Sequence, residues 1–167
     1  MKSLALACFL LTLGCLQMAA AGSLPKPQGT PILTISGSIR NSNAAGEAQL
    51  EREMLEALGL QTVVTSTPWF DGKVTFEGVL LDKLMEMVGA EGKTVTAVAL
   101  NDYVTTIPME DFGRFGVLLS LKRDGQYMTV RDKGPLFIVY PYDDNTELQS
   151  QTYYGRSAWQ LARLIIE

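Results

Sequence analysis

Thr94-Val95-Thr96-Ala97-Val98-Ala99-Leu100-Asn101-Asp102-Tyr103-Val104-Thr105-Thr106-Ile107-Pro108 is the stretch on which the fold class turns. Residues 94–100 are β-branched or small and apolar, with no helix breaker, and predict a largely buried strand. Asn101-Asp102 supplies turn chemistry, because both side chains can bond the local backbone. A β-like pattern then resumes from Val104. One carboxylate, Asp102, and one ring, Tyr103, thus stand at a strand end, either as plain turn formers or as a handle for a planar ligand.

Upstream, Ile32 to Ile39 alternates apolar and small polar residues and predicts a strand with one wet face. From Glu47 to Leu58, Leu50, Met54, Leu55 and Leu58 recur at helical spacing, acids lead, and Gly59 can close the segment, which predicts an amphipathic helix. Gln61 to Thr65 reads as a short strand, followed by Ser66-Thr67-Pro68-Trp69-Phe70-Asp71-Gly72, a loop dense in aromatic and turn residues. Its Trp/Phe pair is either a plug over the core or part of a stacking wall. Val79 to Val88 places Leu80, Leu81, Leu84, Met85 and Val88 on one side of a second helix that Gly89 ends.

Downstream, Met109 to Phe115 reads as a turn or short helix. Gly116 to Lys122 and Gln126 to Val130 flank Arg123-Asp124-Gly125, a strong local hairpin signal. Arg131 to Pro135 is a charged loop, Leu136 to Tyr140 a buried strand, Asp143 to Gln151 a polar loop, and Tyr153 to Arg156 leads into the apolar segment Trp159 to Ile166.

A chain of 167 residues supports one domain with a respectable core and is short for two. Lys2, the apolar run Leu4 to Leu16 and Ala19-Ala20-Ala21-Gly22-Ser23 have the form of a signal peptide, with cleavage expected after Ala21 and export to the periplasm. Residues 22–31, with Pro25, Pro27, Gly29 and Pro31, read as an extended leader, and 32–167 as the folded domain. With 14 basic and 18 acidic residues the net charge is −4, and no Lys/Arg run could track a line of phosphates, which argues against nucleic acid as a partner. Cys8 and Cys15 both fall in the targeting segment, and there is no histidine. Ser-His-Asp and Cys-His catalysis, haem ligation by histidine and the usual zinc sites are excluded for the exported chain.

From about Ile35 onward the order of signals resembles a sulfite-oxidase-type molybdopterin-binding domain. Phe76-Glu77-Gly78-Val79-Leu80-Leu81 is similar to the family's aromatic-x-Gly-Val-x-Leu start of a helix. Asn101-Asp102-Tyr103 with Ile107-Pro108 is similar to its Asp-Gly-Tyr and Pro. Gly134-Pro135-Leu136, Val139-Tyr140-Pro141 and Trp159 to Ile166 resemble its later turn, strand end and closing Trp-bearing strand. The resemblance implies a mixed α/β domain with a mainly β core and two or three helices, and a pterin as ligand.

Members of that family that hold molybdenum place a cysteine thiolate in the loop that here reads Thr65-Ser66-Thr67-Pro68-Trp69, and a hydroxyl is no substitute for that soft ligand. The resemblance is closest to small exported pterin-binding proteins that act as sensors beside membrane cyclic-di-GMP enzymes, so the expected partner is the periplasmic part of such a cyclase or phosphodiesterase. For a free pterin, Asp102 is the first candidate to accept its N–H donors in parallel. Thr67 lies in the site loop, Tyr103 and Trp69 are candidates for the stacking wall, and Arg131, Lys133 and Arg156 for the oxo group or a polar tail, in a pocket between the Trp69 loop and the Asp102 turn. The other readings are a molybdopterin-dependent oxidoreductase without a cysteine ligand and a ligand-free periplasmic adaptor.

Overall fold

A computed structural model of the chain describes residues 23–167. The expected signal peptide and its cleavage site lie outside the described residues. Of the described residues 42% are in strands, arranged in two sheets with few short helices, which is the mixed, mainly β class that the resemblance implies.

In chain order the strands are β1 Leu33–Gly37, β2 Ala48–Leu50, β3 Gln61–Thr67, β4 Phe70–Leu80, β5 Thr94–Ala99, β6 Val104–Pro108, β7 Leu118–Arg123, β8 Gln126–Tyr127, β9 Phe137–Val139 and β10 Leu161–Ile166. The helices are α1 Arg52–Glu56, α2 Leu81–Val88, α3 Glu110–Phe115 and α4 Gln151–Arg156. One sheet runs β2-β1-β10-β5-β6, and the other β3-β4-β7, with β8 and β9 both on the far edge of β7. Among the named strands of the described residues only β1 and β10 pair in parallel, and β10 is inserted between β1 and β5.

The deciding stretch forms the expected strand, turn and strand, but the first strand stops at Ala99 and is buried on one face only instead of largely buried, with Leu100 exposed in the turn. Val95, Ala97 and Ala99 of β5 point into the core, Thr94, Thr96 and Val98 point out, and β6 returns antiparallel with Val98 opposite Val104. In α2, Leu81, Leu84 and Val88 are fully buried and contribute about 1.5–3 kcal/mol each. Gly89 ends the helix, and the Ala90 N–H donates back to the Met85 carbonyl at 2.9 Å. The Arg123-Asp124-Gly125 hairpin is present: Asp124 and Gly125 both take positive φ, 50° and 77°, and Arg123 pairs with Gln126.

Elsewhere the structure corrects the reading. The helix expected over 47–58 is split. Ala48 and Leu50 are buried on either side of a half-exposed Gln49, and β2 pairs with β1, so a period-two segment consumes the start. Glu51 then turns inward, its carboxylate accepting from the Gly29 N–H of the leader, and α1 keeps five residues. The spacing of Leu50, Met54 and Leu58 fits a helix, but sheet pairing buries Leu50 completely. The loop expected over 66–72 is instead a tight hairpin, with Thr67 opposite Phe70 and Pro68-Trp69 at its tip. The second helix begins at Leu81 because Val79 and Leu80 still belong to β4, which pairs there with β7. Four helices replace the expected two or three, since Gln151–Arg156 is helical. Among the described residues no helix is long and apolar enough to cross a membrane.

Candidate functional site

The β5–β6 turn is closed by Asn101, whose Oδ1 accepts from the Tyr103 N–H at 3.2 Å, while the Tyr103 carbonyl accepts from Ala99 N at 2.9 Å. Asp102 is left in the left-handed region, φ 63°, with an exposed side chain. A non-glycine residue held there is uncommon and marks a position where the chain's direction matters. Tyr103 turns the other way. Its hydroxyl donates to the Gly155 carbonyl at 2.6 Å, and its ring lies parallel to Trp159, 4° between planes and 6.4 Å between centroids.

Trp159 is the residue that joins the expected candidates. Trp69, projected from the β3–β4 turn, meets it edge-on at 5.6 Å, and also meets Phe137 at 5.4 Å, Tyr154 at 6.0 Å and Tyr142 at 6.2 Å. Trp69 is half-buried and packs against the core, as the plug reading expects. Lys133, left-handed at φ 69°, has its Nζ 4.0 Å over the Trp159 ring and 6.0 Å from that of Phe70, and the Arg123 guanidinium lies 4.5 Å over the same Phe70 ring. Burial, and next the charge of Arg123, hold the Lys133 amine below the usual lysine range. Two cations share one aromatic patch, and neither has an acidic partner among the described residues.

Thr67 lines a polar cleft of about 410 Å³ next to this patch, together with Ser66, Pro68, Tyr142, Asp143, Gln149 and Tyr154. Its Oγ1 accepts from the Trp69 N–H at 3.4 Å. Asp143 accepts from Ser66 N at 3.1 Å, Ser66 Oγ at 3.2 Å and Lys73 Nζ at 3.2 Å. The Ser66 backbone N–H, ahead of Lys73, holds this carboxyl below the usual carboxylate range. Asp143, Tyr154, Arg123 and Trp159 escaped the sequence reading. Nothing in the local pattern places the β7 end, the residues after Pro141 and the C-terminal Trp on one surface, although the aromatic density of 137–159 was a usable signal.

Three expected roles change. Asp102 does not join the Trp69 side. It lines a cleft of about 530 Å³ formed with residues of β1, β10 and the end of β5, whose lining includes neither Trp69 nor Thr67. The expected common pocket is therefore two clefts with an aromatic ridge between them, because Asp102 and Tyr103 leave the turn in opposite senses. Arg156 is committed elsewhere: its Nη1 donates to Asp111 Oδ2 at 2.8 Å, and the Tyr140 hydroxyl donates to the same oxygen at 2.8 Å. Burial, with Asp111 next, drives the Tyr140 hydroxyl far above its usual range, so the trio is a fixed buried group. Arg131 sits in the exposed turn Val130–Asp132, away from the rings. No family model matches this chain, and no curated protein matches it.

Proposed function

We propose that this chain is a non-catalytic, exported pterin-binding protein of the sulfite-oxidase molybdopterin-domain type, and that it relays pterin occupancy to the periplasmic part of a membrane cyclic-di-GMP cyclase or phosphodiesterase. The observation that carries the binding step is the parallel Tyr103–Trp159 pair with Lys133 over the Trp159 ring. A flat ring inserted between two others needs about 7 Å between planes, two contact distances of ~3.5 Å. The rings are parallel with centroids 6.4 Å apart and Tyr103 lies on an exposed turn, so an outward movement of that turn would open the space between them to the ligand. Lys133 and Arg123 supply donors for a 4-oxo group or an anionic tail. In the cleft on the Trp69 side, Asp143, whose Oδ2 is held by Ser66 and Lys73, is the candidate carboxylate that would offer its other oxygen to the 2-amino or ring N–H groups.

The donor set does not fit molybdenum. The family's thiolate position falls in the Thr65 to Trp69 segment, and no described residue is a cysteine or histidine, so no soft ligand reaches the site. The oxidoreductase reading loses its chemistry on that ground. The adaptor reading asks for an exposed aromatic surface with nothing behind it, whereas Trp69 packs on four rings beside a polar cleft.

Calorimetric titration with oxidised and tetrahydro pterins tests this reading. Binding is expected with quenching of tryptophan fluorescence, abolished in Trp159→Ala and weakened in Lys133→Met and Asp143→Asn. Absence of binding up to about 1 mM ligand, or unaltered affinity in Trp159→Ala, overturns it.

A further inference from the structure

The cleft that Asp102 lines includes none of Trp69, Tyr103, Lys133 and Trp159, and its two charged residues stand on irregular backbone. Asp102 enters from the left-handed position of the β5–β6 turn. Arg163 enters from β10 at a register shift: Leu161 pairs with Ala99 and Arg163 with Val98, so Ala162 is an extra residue, and Gln160 just before it also takes positive φ, 54°. A bulge of this kind re-aims the side chain that follows it, and strained non-glycine positions persist where the direction of a side chain is functional. Both charged groups line one cleft, yet no ion pair joins them, and neither has an opposite charge within ion-pair distance among the described residues. The accessible apolar residues of the lining are Ile32, Val98, Leu100, Val130 and Pro135, of which Leu100 and Val130 are among the exposed large apolar residues.

We propose that this cleft binds a short apolar peptide through both of its ends, the terminal ammonium on Asp102, the terminal carboxylate on Arg163 and the side chains on the apolar wall. A carboxylate and a guanidinium held apart in one cleft complement a zwitterion and would each be half-satisfied by a singly charged amphiphile. Arg163 is level with Val98 on the neighbouring strand, Asp102 lies in the turn that follows β5, and the two groups are beyond ion-pair distance of each other. An extended peptide of two or three residues spans ~7–10 Å and presents opposite charges at its two ends. A cleft of about 530 Å³ is within the size range of small-ligand sites. This site is independent of the stacking surface and stands or falls without it.

The test is titration of the full exported chain with trileucine, N-acetyl-trileucine and trileucine amide, monitored by calorimetry and by backbone amide NMR. Trileucine is expected to bind, moving the amides of Val98, Leu100 and Val130, and each blocked peptide to bind at least about fivefold more weakly. Asp102→Asn should weaken trileucine but leave the N-acetylated peptide unchanged, and Arg163→Gln should do the same for the amide. Both side chains are exposed, and far-ultraviolet circular dichroism of each variant confirms that the fold is kept. Equal binding of free and blocked peptides would mean an apolar groove without end recognition and overturns the proposal. So does absence of binding at about 5 mM peptide, or concentration-dependent self-association that shields Val104 and Leu100, which would assign the cleft to a second copy of the chain.

Discussion

Arg156 meets Asp111 at 2.8 Å in a place where the carboxylate side chain is only 4% exposed, and Tyr140 donates to the same oxygen. Removing the guanidinium would leave a buried charge with one neutral donor. Breaking such a pair from one side costs ~3–5 kcal/mol when both partners are buried, and because Arg156 is itself 22% exposed, about 2 kcal/mol is expected for Arg156→Ala, read from denaturant midpoints. Pterin affinity should be unchanged in this variant. A tenfold loss of affinity with normal stability would return Arg156 to the ligand site.

That ion pair illustrates what the linear sequence hides. Strand and hairpin signals are local, so Thr94 to Pro108 and Arg123-Asp124-Gly125 could be read from alternation and turn chemistry alone. Ala48-Gln49-Leu50 could not, because three residues suit a strand only when β1 is there to pair with them. The candidate site was half legible. Trp69, Tyr103 and Lys133 converge, but on Trp159, which comes from the far end of the chain. Asp102 is adjacent to Tyr103 in sequence and faces a different cleft, since the positive φ that completes the turn also reverses the direction of its side chain.

Gly78 is required by a close approach. A Cβ there would stand 2.0 Å from the Leu119 carbonyl oxygen and 2.6 Å from the Ser120 Cα, both backbone atoms of the paired strand β7. Neither can retreat without breaking the β4–β7 ladder at its register shift. Gly78→Ala is expected to lower stability by about 3 kcal/mol, in the range of overpacked cores, measured by urea unfolding. A loss within experimental error would show that the two strands can separate locally at no cost.

Asp143 is held below the usual carboxylate range by the Ser66 backbone N–H first and by Lys73 and the Ser66 hydroxyl after it. A carboxyl depressed in the folded state binds fewer protons than in the unfolded state as pH falls, so its contribution is complete above about pH 4 and is lost as pH drops through the lowered folded value. Asp143→Asn should therefore be less stable than wild type by about 1 kcal/mol at neutral pH, a discounted value for a partly exposed charged acceptor. The two proteins should converge in acid, once pH has fallen through the lowered folded value. Parallel stability curves down to pH 2.5 would show that these hydrogen bonds do not favour the ionised form.

Lys133 has the opposite sign. Its amine is depressed from 10.5 by burial and then by Arg123, so in the folded protein the charged form carries a penalty that the unfolded chain does not. At pH 7 both states are protonated and the penalty is fully present. Between the lowered folded value and 10.5 the unfolded state holds more protons, and stability from this group rises with pH. Lys133→Met removes the charge while keeping an unbranched chain and a sulfur that packs well against the Trp159 ring. The variant should melt higher than wild type at pH 7, and its advantage should shrink steadily as pH approaches 10.5, followed by thermal melts at fixed ionic strength. Its pterin affinity should fall over the same range in which its stability advantage is largest, because the cation that strains the free protein is the one a 4-oxo group or anionic tail would neutralise. A variant that melts lower at neutral pH, with pterin affinity intact, would make Lys133 a packing residue and remove the charged half of the proposed site.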